Sequence, residues 1–337
     1  MLEASFFKEG ISKLGQLLKR ELPQAGDRFE RGLSADVVKP TYFKDVVKLA
    51  NGRPPIKMSE YANLEFRPVK SPLPLTGGHN PIQAMKDQHD RFWIFKAIEQ
   101  KNAHYRAVGD KVGSDLANAV GLPSPVVHYA SEKIDGVVQF GTVQPLIKHS
   151  GKPLPLSPQH WTEKQRDQLT ASHVFRWLIG DHDGKAANFL VMKDGNLVPI
   201  DFGNMFRNVG HDVLDRKYQP NPIKPLYNRM WDSYVKGAVD INFHAGLFQV
   251  SKIEAMSDQE FLKLLEPYAD ARYARVGFVP KGVETKEKFM QMALERKQNI
   301  RRDISTFYDS LAKERGLSGL REALGTGNPW ASRKLVG

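Results

Sequence analysis

The stretch Asp181-His182-Asp183-Gly184-Lys185-Ala186-Ala187-Asn188 leads into Phe189-Leu190-Val191-Met192, Lys193-Asp194-Gly195-Asn196 and Leu197-Val198-Pro199-Ile200, and ends at Asp201-Phe202-Gly203. Two short apolar runs flank an Asp-Gly pair, which is a strong local signal for a β-hairpin. Upstream, Val174, Phe175, Leu178 and Ile179 read as the end of a buried helix closed by Gly180. The order is therefore helix, polar loop, hairpin, acidic turn. Asp183 and Asn188 could simply cap the loop and Asp201 start a turn. That reading gives no reason for so much charge beside such apolar strands.

A chemical reading does give one. Phosphoryl transfer depends on positioning and charge neutralisation: one Asp orients the attacking hydroxyl, an Asn and a second Asp hold Mg²⁺, and a Lys screens the moving phosphoryl group. The pattern Asp-x-Lys-x-x-Asn followed by Asp-Phe-Gly is met by Asp183, Lys185, Asn188 and Asp201, and the 13-residue interval from Asn188 to Asp201 is what a hairpin requires. Asp-Phe-Gly alone is a weak signal; the four positions in register are a strong one. His182 is expected to pack the loop rather than take part in chemistry.

A nucleotide-binding unit should then precede the loop. Leu75 to Pro81 contains Gly77-Gly78-His79-Asn80, a turn whose backbone N–H groups could approach phosphates, although an ordinary hairpin would read the same. Arg91 to Ala97 alternates as a strand and delivers Lys96 from apolar surroundings, as a phosphate contact or as a snorkelling edge lysine. The helical period from Arg106 to Val120 carries Asp110, an acidic partner for Lys96, with Asp115 as the fallback. Val126–Tyr129 and Gly136–Val143 read as strands, and Gln144-Pro145-Leu146 as the hinge whose backbone would meet adenine.

Together the Gly-Gly-His-Asn-Pro turn, the Phe-Lys strand, the helix ending Gly-Leu-Pro-x-Pro, the Gly-Asp-His-Asp loop and Ile-Asp-Phe-Gly resemble the atypical protein-kinase-like folds. The HipA-like Ser/Thr kinases and the phosphoinositide 3/4-kinase-like group are the closest in pattern, over roughly residues 71–250. The resemblance implies an α+β, two-lobed protein-kinase-like fold with a small β-rich N-lobe and a larger helical C-lobe. It also implies ATP with Mg²⁺ (or Mn²⁺) as cofactors and phosphoryl transfer to a hydroxyl, with a protein as the unidentified substrate. Asp183, Lys185 and Lys96 would be catalytic. Gly77, Gly78, His79, Asn80, Lys96, Gln144 and Leu146 would bind ATP, Asn188 and Asp201 the metal, and Asp110 would bridge the lobes. The sequence departs from those families: it has no Gly-x-Gly-x-x-Gly loop and no Ala-Pro-Glu motif, and an Asp stands where the bridging Glu is usual. An inositol lipid or small molecule as acceptor, and a nucleotide-binding pseudokinase scaffold, are the competing readings.

Composition bounds the rest. The 337 residues carry a net +11, are 41% hydrophobic and 26% charged, and contain no cysteine. This is a globular composition and excludes disulfides, thiolate nucleophiles and Cys-ligated metal. With no signal-peptide pattern and no membrane-length apolar run, a cytoplasmic location is expected. The surplus charge is at the ends: residues 1–70 carry a net +4 and 269–337 a net +6, against +1 for the 198 residues between. Those flanks could meet an anionic partner or membrane surface. No zinc-finger, RNP or Gly-x-x-Gly signature supports specific nucleic-acid binding.

The domain expectation is a basic helical extension and linker over 1–70, an N-lobe over 71–146, a C-lobe with a C-terminal helix over 147–316, and a flexible tail over 317–337. Phe7, Ile11, Leu14 and Leu18 predict a helix packed on the main domain, and 51–75 a Pro/Gly-rich connector. One long helix is predicted from Thr285 to Arg315 with Gly316 at its C′ position. Arg296, Lys297, Arg301 and Arg302 are expected on its solvated face, and Thr76 is a candidate autophosphorylation site.

Overall fold

The structure, a computed structural model, describes residues 64–71, 82–97, 103–134, 137–273 and 283–325. The N-terminal amphipathic stretch, Thr76, Gly77, Gly78, His79 and Asn80 lie outside these residues. Among the described residues the small lobe is a five-stranded antiparallel sheet: β1 (Phe66–Pro68), β2 (Ile82–Asp87), β3 (Phe92–Ala97), β4 (His128–Ile134) and β5 (Val137–Pro145), in the order β1-β2-β3-β5-β4. Period-2 alternation sends Trp93, Phe95 and Ala97 into a core with Met85 and Val143, and leaves Lys96 on the other face. The β2–β3 turn is built on the Asp87 carboxylate, which accepts from the His89 and Arg91 N–H groups and from Trp93 Nε1. Strand β1 begins before residue 71, inside the expected linker. Its three residues are too few for a periodic signal, and Phe66 is held edge-on against Trp93.

Helix α1 (Ala103–Ala119) follows β3 and joins the two lobes. It sits against β5, yet its Val108, Val112, Leu116 and Ala117 are buried in the core of the large lobe. That core is gathered by α2 (Glu163–Leu178), α3 (Leu226–Val235), α4 (Phe243–Ala255), α5 (Asp258–Tyr273), α6 (Lys286–Gln298) and α7 (Ile300–Glu314), with a short α8 (Leu320–Gly325) beyond. Thr162 and Gln165 form a reciprocal capping box at the start of α2. From the same helix, Gln165 and Gln168 hold the predicted hairpin, now β6 (Phe189–Val191) and β7 (Leu197–Pro199), through Gly195 O and the Leu197 N–H. Gly180 ends α2's turn at φ +56°, as its place after the buried run predicts.

Two C-terminal expectations are corrected. The single helix over 285–315 is two helices broken at Asn299, whose N–H closes the end of α6. The break turns α7 onto α3 and α4, where Phe307 and Tyr308 join Trp231 and Phe243 in an aromatic nest. A 3.6-residue period survives a one-residue break, so the pattern did not reveal it. Gly316 does end α7, at φ +94°, with the paired hydrogen bonds Leu317 N–H to Ala312 O and Gly316 N–H to Lys313 O. The basic cluster is not a solvated face throughout. Arg296 is half-buried against Trp177 and chelates Asp212, and Lys297 is buried on Asp258, while Arg301 and Arg302 are exposed. Helix α8 occupies part of the stretch expected to be a tail. No helix among the described residues is long and apolar enough to cross a membrane.

One carboxylate in this packing works against stability. Asp167 on α2 takes a single long hydrogen bond from Asn242, 3.3 Å, and its other oxygen is buried without a partner. Burial, reinforced by Glu163, pushes its pKa up to about 6. A carboxyl whose folded-state pKa exceeds its unfolded value binds extra protons when folded, so its contribution to stability falls as pH rises from about 4 to about 6. Asp167→Asn should therefore raise Tm at pH 7.5 and lose that advantage as pH approaches 4, measured by calorimetry across pH.

Candidate active site

Lys96 and Thr142 are opposite each other on β3 and β5, and both reach Asp110 on α1. Lys96 Nζ lies 3.1 Å from Asp110 Oδ2 and 3.9 Å from Asp201 Oδ1. Thr142 Oγ1 donates to the same Oδ2 at 3.3 Å, and Asp110 Oδ1 accepts the Phe202 N–H at 3.0 Å. Burial disfavours the Lys96 ammonium, but Asp110 and then Asp201 outweigh it and hold its pKa above the ordinary value. The expected lysine and bridging aspartate are thus paired. Asp115 instead pairs with Lys111 one turn away on its own helix. The shorter Asp suffices because α1 lies close to the loop after β7: a Cβ on Gly113 would come within 2.3 Å of Phe202 Cβ.

Asp201 itself has φ +62°, a left-handed backbone that costs a non-glycine residue about 1 kcal/mol or more. Its side chain is 44% exposed beside the half-buried Lys96. Phe202 turns the other way, into the core against Phe175. The Asp-Phe-Gly sequence therefore presents its carboxylate to the space between the lobes while its ring anchors the turn.

The loop before β6 is tied to the Asp-Phe-Gly turn by the Ile200 N–H, which donates to Asn188 O at 2.9 Å. Asp183 Oδ2 accepts from Lys185 Nζ at 2.9 Å and from Asn204 Nδ2 at 3.0 Å. Burial would raise the Asp183 pKa, but the Lys185 hydrogen bond and charge and the Arg176 charge prevail and hold it below the usual value, so the carboxylate is ionised at neutral pH. Asn188 Nδ2 donates to the Asp183 carbonyl at 2.6 Å, which commits the amide nitrogen and leaves its oxygen as the end that can meet a cation. Gly184 has no room for a side chain, since a Cβ there would lie 2.2 Å from the Tyr227 ring.

Several parts of this framework carried no sequence signal. Arg176, fully buried on α2, pairs with Asp181 and donates to Ile200 O at 3.2 Å, tying the loop to the end of β7. On the helix it reads as one more basic residue. Asp181 in turn accepts the Asp183 N–H at 2.9 Å. Thr142 and Asn204 are also new; the only sign of Asn204 was its place directly after Asp-Phe-Gly. His182 packs the loop as expected, 3.2 Å from Asp212 and edge-on to Tyr218.

The end of β5 is the stretch expected as a hinge. The Leu146 N–H donates to Phe92 O at 2.9 Å, so Leu146, like Gln144 two residues before it, turns its backbone toward β3. Strand alternation points the Pro145 carbonyl and the Ile147 N–H to the opposite side. There β4 gives no cover, because it begins at His128, opposite Val143. Pro145 and Ile147, rather than Gln144 and Leu146, carry the outward-facing backbone groups.

No protein-family model matches this chain, and no curated protein does. Among solved structures, the proinflammatory kinase CtkA of Helicobacter pylori is similar over 72% of this chain and 95% of that one, at 14% identity and a TM-score of 0.43. A MAP kinase from Leishmania major is similar over 77% and 89%, at 13% identity and a TM-score of 0.28. Likeness this distant does not transfer residues or substrates, so the chemistry is read from the side chains themselves.

As a donor set, Asn188 and Asp201 offer hard oxygen atoms and one negative charge. That suits a magnesium ion sharing its coordination with phosphate oxygens and water, and is too little for an all-protein metal cage. No group of three or more His, Asp or Glu able to hold a metal lies among the described residues. The close approach of α1 to Phe202 gives a direct test. Gly113→Ala should displace Phe202, lowering stability by about 1–3 kcal/mol in denaturant titration. It should also disturb the Lys96–Asp110 pair, because the Phe202 N–H and Lys96 share Asp110.

Proposed function

We propose that this chain is an ATP- and magnesium-dependent phosphotransferase with a protein Ser or Thr hydroxyl as its acceptor. The observation that carries the reading is the juxtaposition of two charged groups, Lys96–Asp110 beside Asp201 and Asp183–Lys185 with Asn188, joined where the Ile200 N–H, next to Asp201, donates to Asn188 O at 2.9 Å. A structural ion pair needs neither the second group nor an exposed, strained aspartate.

Each residue then has a task. Lys96, fixed by Asp110, holds the non-transferred phosphates, and the Pro145 carbonyl and Ile147 N–H offer adenine an acceptor and a donor. Asn188 and Asp201 hold magnesium, which supplies charge neutralisation on the phosphates when bound. Asp183 is ionised and orients the acceptor hydroxyl, taking up its proton as the oxygen bonds to the γ-phosphorus of ATP and the bond from that phosphorus to the β,γ-bridging oxygen breaks, with ADP as the leaving group. Lys185, 2.9 Å from Asp183, lies where it can screen charge on the transferring group. That cation beside the orienting carboxylate favours a Ser/Thr-type acceptor over a lipid one.

The test is labelling from γ-³²P-ATP and magnesium, on the protein itself and on dephosphorylated casein. Asp183→Ala should reduce incorporation by at least about 10³-fold, and Lys96→Met should do so mainly through weaker nucleotide binding. Equal labelling by wild type and Asp183→Ala would contradict the reading.

A further inference from the structure

Asn204 has no part in the scheme so far, yet it touches the residue at the scheme's centre. Its Nδ2 donates to Asp183 Oδ2 at 3.0 Å across 21 residues of sequence. Lys185 donates to that same oxygen at 2.9 Å. Among the described residues no hydrogen bond reaches Asp183 Oδ1. The two oxygens are therefore not equivalent: one is held by two donors, and the other remains for an incoming hydroxyl.

The backbone around Asn204 is fixed from several sides. Met205 N–H bonds to Phe202 O at 3.0 Å and Phe206 N–H to Ile179 O at 2.8 Å. From α5, Tyr268 donates to Met205 O at 2.6 Å and Arg272 to Phe206 O at 2.9 Å. Phe206 is held at φ +50° by these contacts. Arg272 is buried with no carboxylate partner among the described residues, and its guanidinium serves the Phe206 carbonyl and the Tyr268 hydroxyl instead. A turn clamped this firmly delivers the Asn204 amide to one place.

We propose that Asn204 is a positioning residue that, together with Lys185, fixes the Asp183 carboxylate so that Oδ1 receives the acceptor hydroxyl. The same contact ties the hydroxyl-orienting loop to the segment carrying Asp201, so the two halves of the site keep one spacing. This rests on the phosphotransferase reading above. Asn204 touches neither nucleotide nor acceptor in this scheme, so its loss should lower turnover more than ATP affinity.

The test compares Asn204→Ala, Asn204→Asp, Asp183→Ala and Asp183→Ala/Asn204→Ala in the full chain, using labelled ATP, magnesium and dephosphorylated casein. Asn204→Ala should lower kcat by about tenfold with the KM for ATP within about threefold. Asn204→Asp keeps the shape but sets a second carboxylate beside Asp183, so it should be worse than Asn204→Ala. A packing role predicts the reverse order. The double variant should be no worse than Asp183→Ala, as for residues that act as a unit.

A second readout needs no turnover. In ¹H–¹⁵N spectra of the free protein, the Asn204 side-chain amide should shift when Asp183 becomes Ala. Casein labelling unaffected by Asp183→Ala would sink the phosphotransferase reading itself. Loss of labelling in Asp183→Ala, with Asn204→Asp at least as active as Asn204→Ala or with an unmoved Asn204 amide, would overturn the positioning role alone.

Discussion

The carboxylate of Asp110 accepts from three elements that share no local sequence: Lys96 on β3, Thr142 on β5 and the Phe202 N–H of the loop after β7. It is almost fully buried, so each of these bonds acts in a medium where a lost partner is costly. Removing one member of a buried ion pair typically costs about 3–5 kcal/mol, mainly through the charge left behind. Helix α1 transmits this constraint, because its polar edge faces the sheet while its apolar side is part of the large-lobe core. The small lobe, the bridging helix and the Asp-Phe-Gly turn are therefore joined through a single side chain.

Two further charged knots support the other side of the cleft. Arg176 and Asp181 lie beneath the Asp183 loop and bind it to the end of the hairpin. Arg296 and Asp212, with His182, pin the segment after Asp-Phe-Gly to α6, and this environment holds the Asp212 pKa well below the usual carboxylate range: burial works to raise it, and the His182 and Arg296 hydrogen bonds outweigh that. Buried pairs of this kind are poor sources of net stability but good devices for fixing one geometry. The left-handed backbones at Asp201 and Phe206 lie between the knots, where the surrounding contacts can hold strained conformations.

Much of this was legible in the sequence because the site's chemistry is local there. Asp183, Lys185 and Asn188 fall within six residues, and the Asp194-Gly195 turn fixed the step to Asp201. Lys96 was legible through strand alternation and Asp110 through helical period. What was hidden depends on long-range approach. Arg176 and Arg296 look like surface charges on amphipathic helices until a buried partner is known, and the partners lie in loops without periodicity. Thr142 and Asn204 matter only through pairings across 32 and 21 residues. The facing of the Gln144 and Leu146 backbone was hidden because strand pairing, not residue type, decides which backbone groups face outward, and the break at Asn299 leaves the apolar period undisturbed.

On the phosphotransferase reading proposed above, Asp110 organises nucleotide binding by holding Lys96 and the Asp-Phe-Gly turn together. Isothermal titration of Asp110→Ala with ATP and magnesium tests it most directly, with circular dichroism confirming that the fold persists. At least about a tenfold loss of affinity is predicted, corresponding to about 1.4 kcal/mol. Wild-type affinity in a folded Asp110→Ala protein would contradict it.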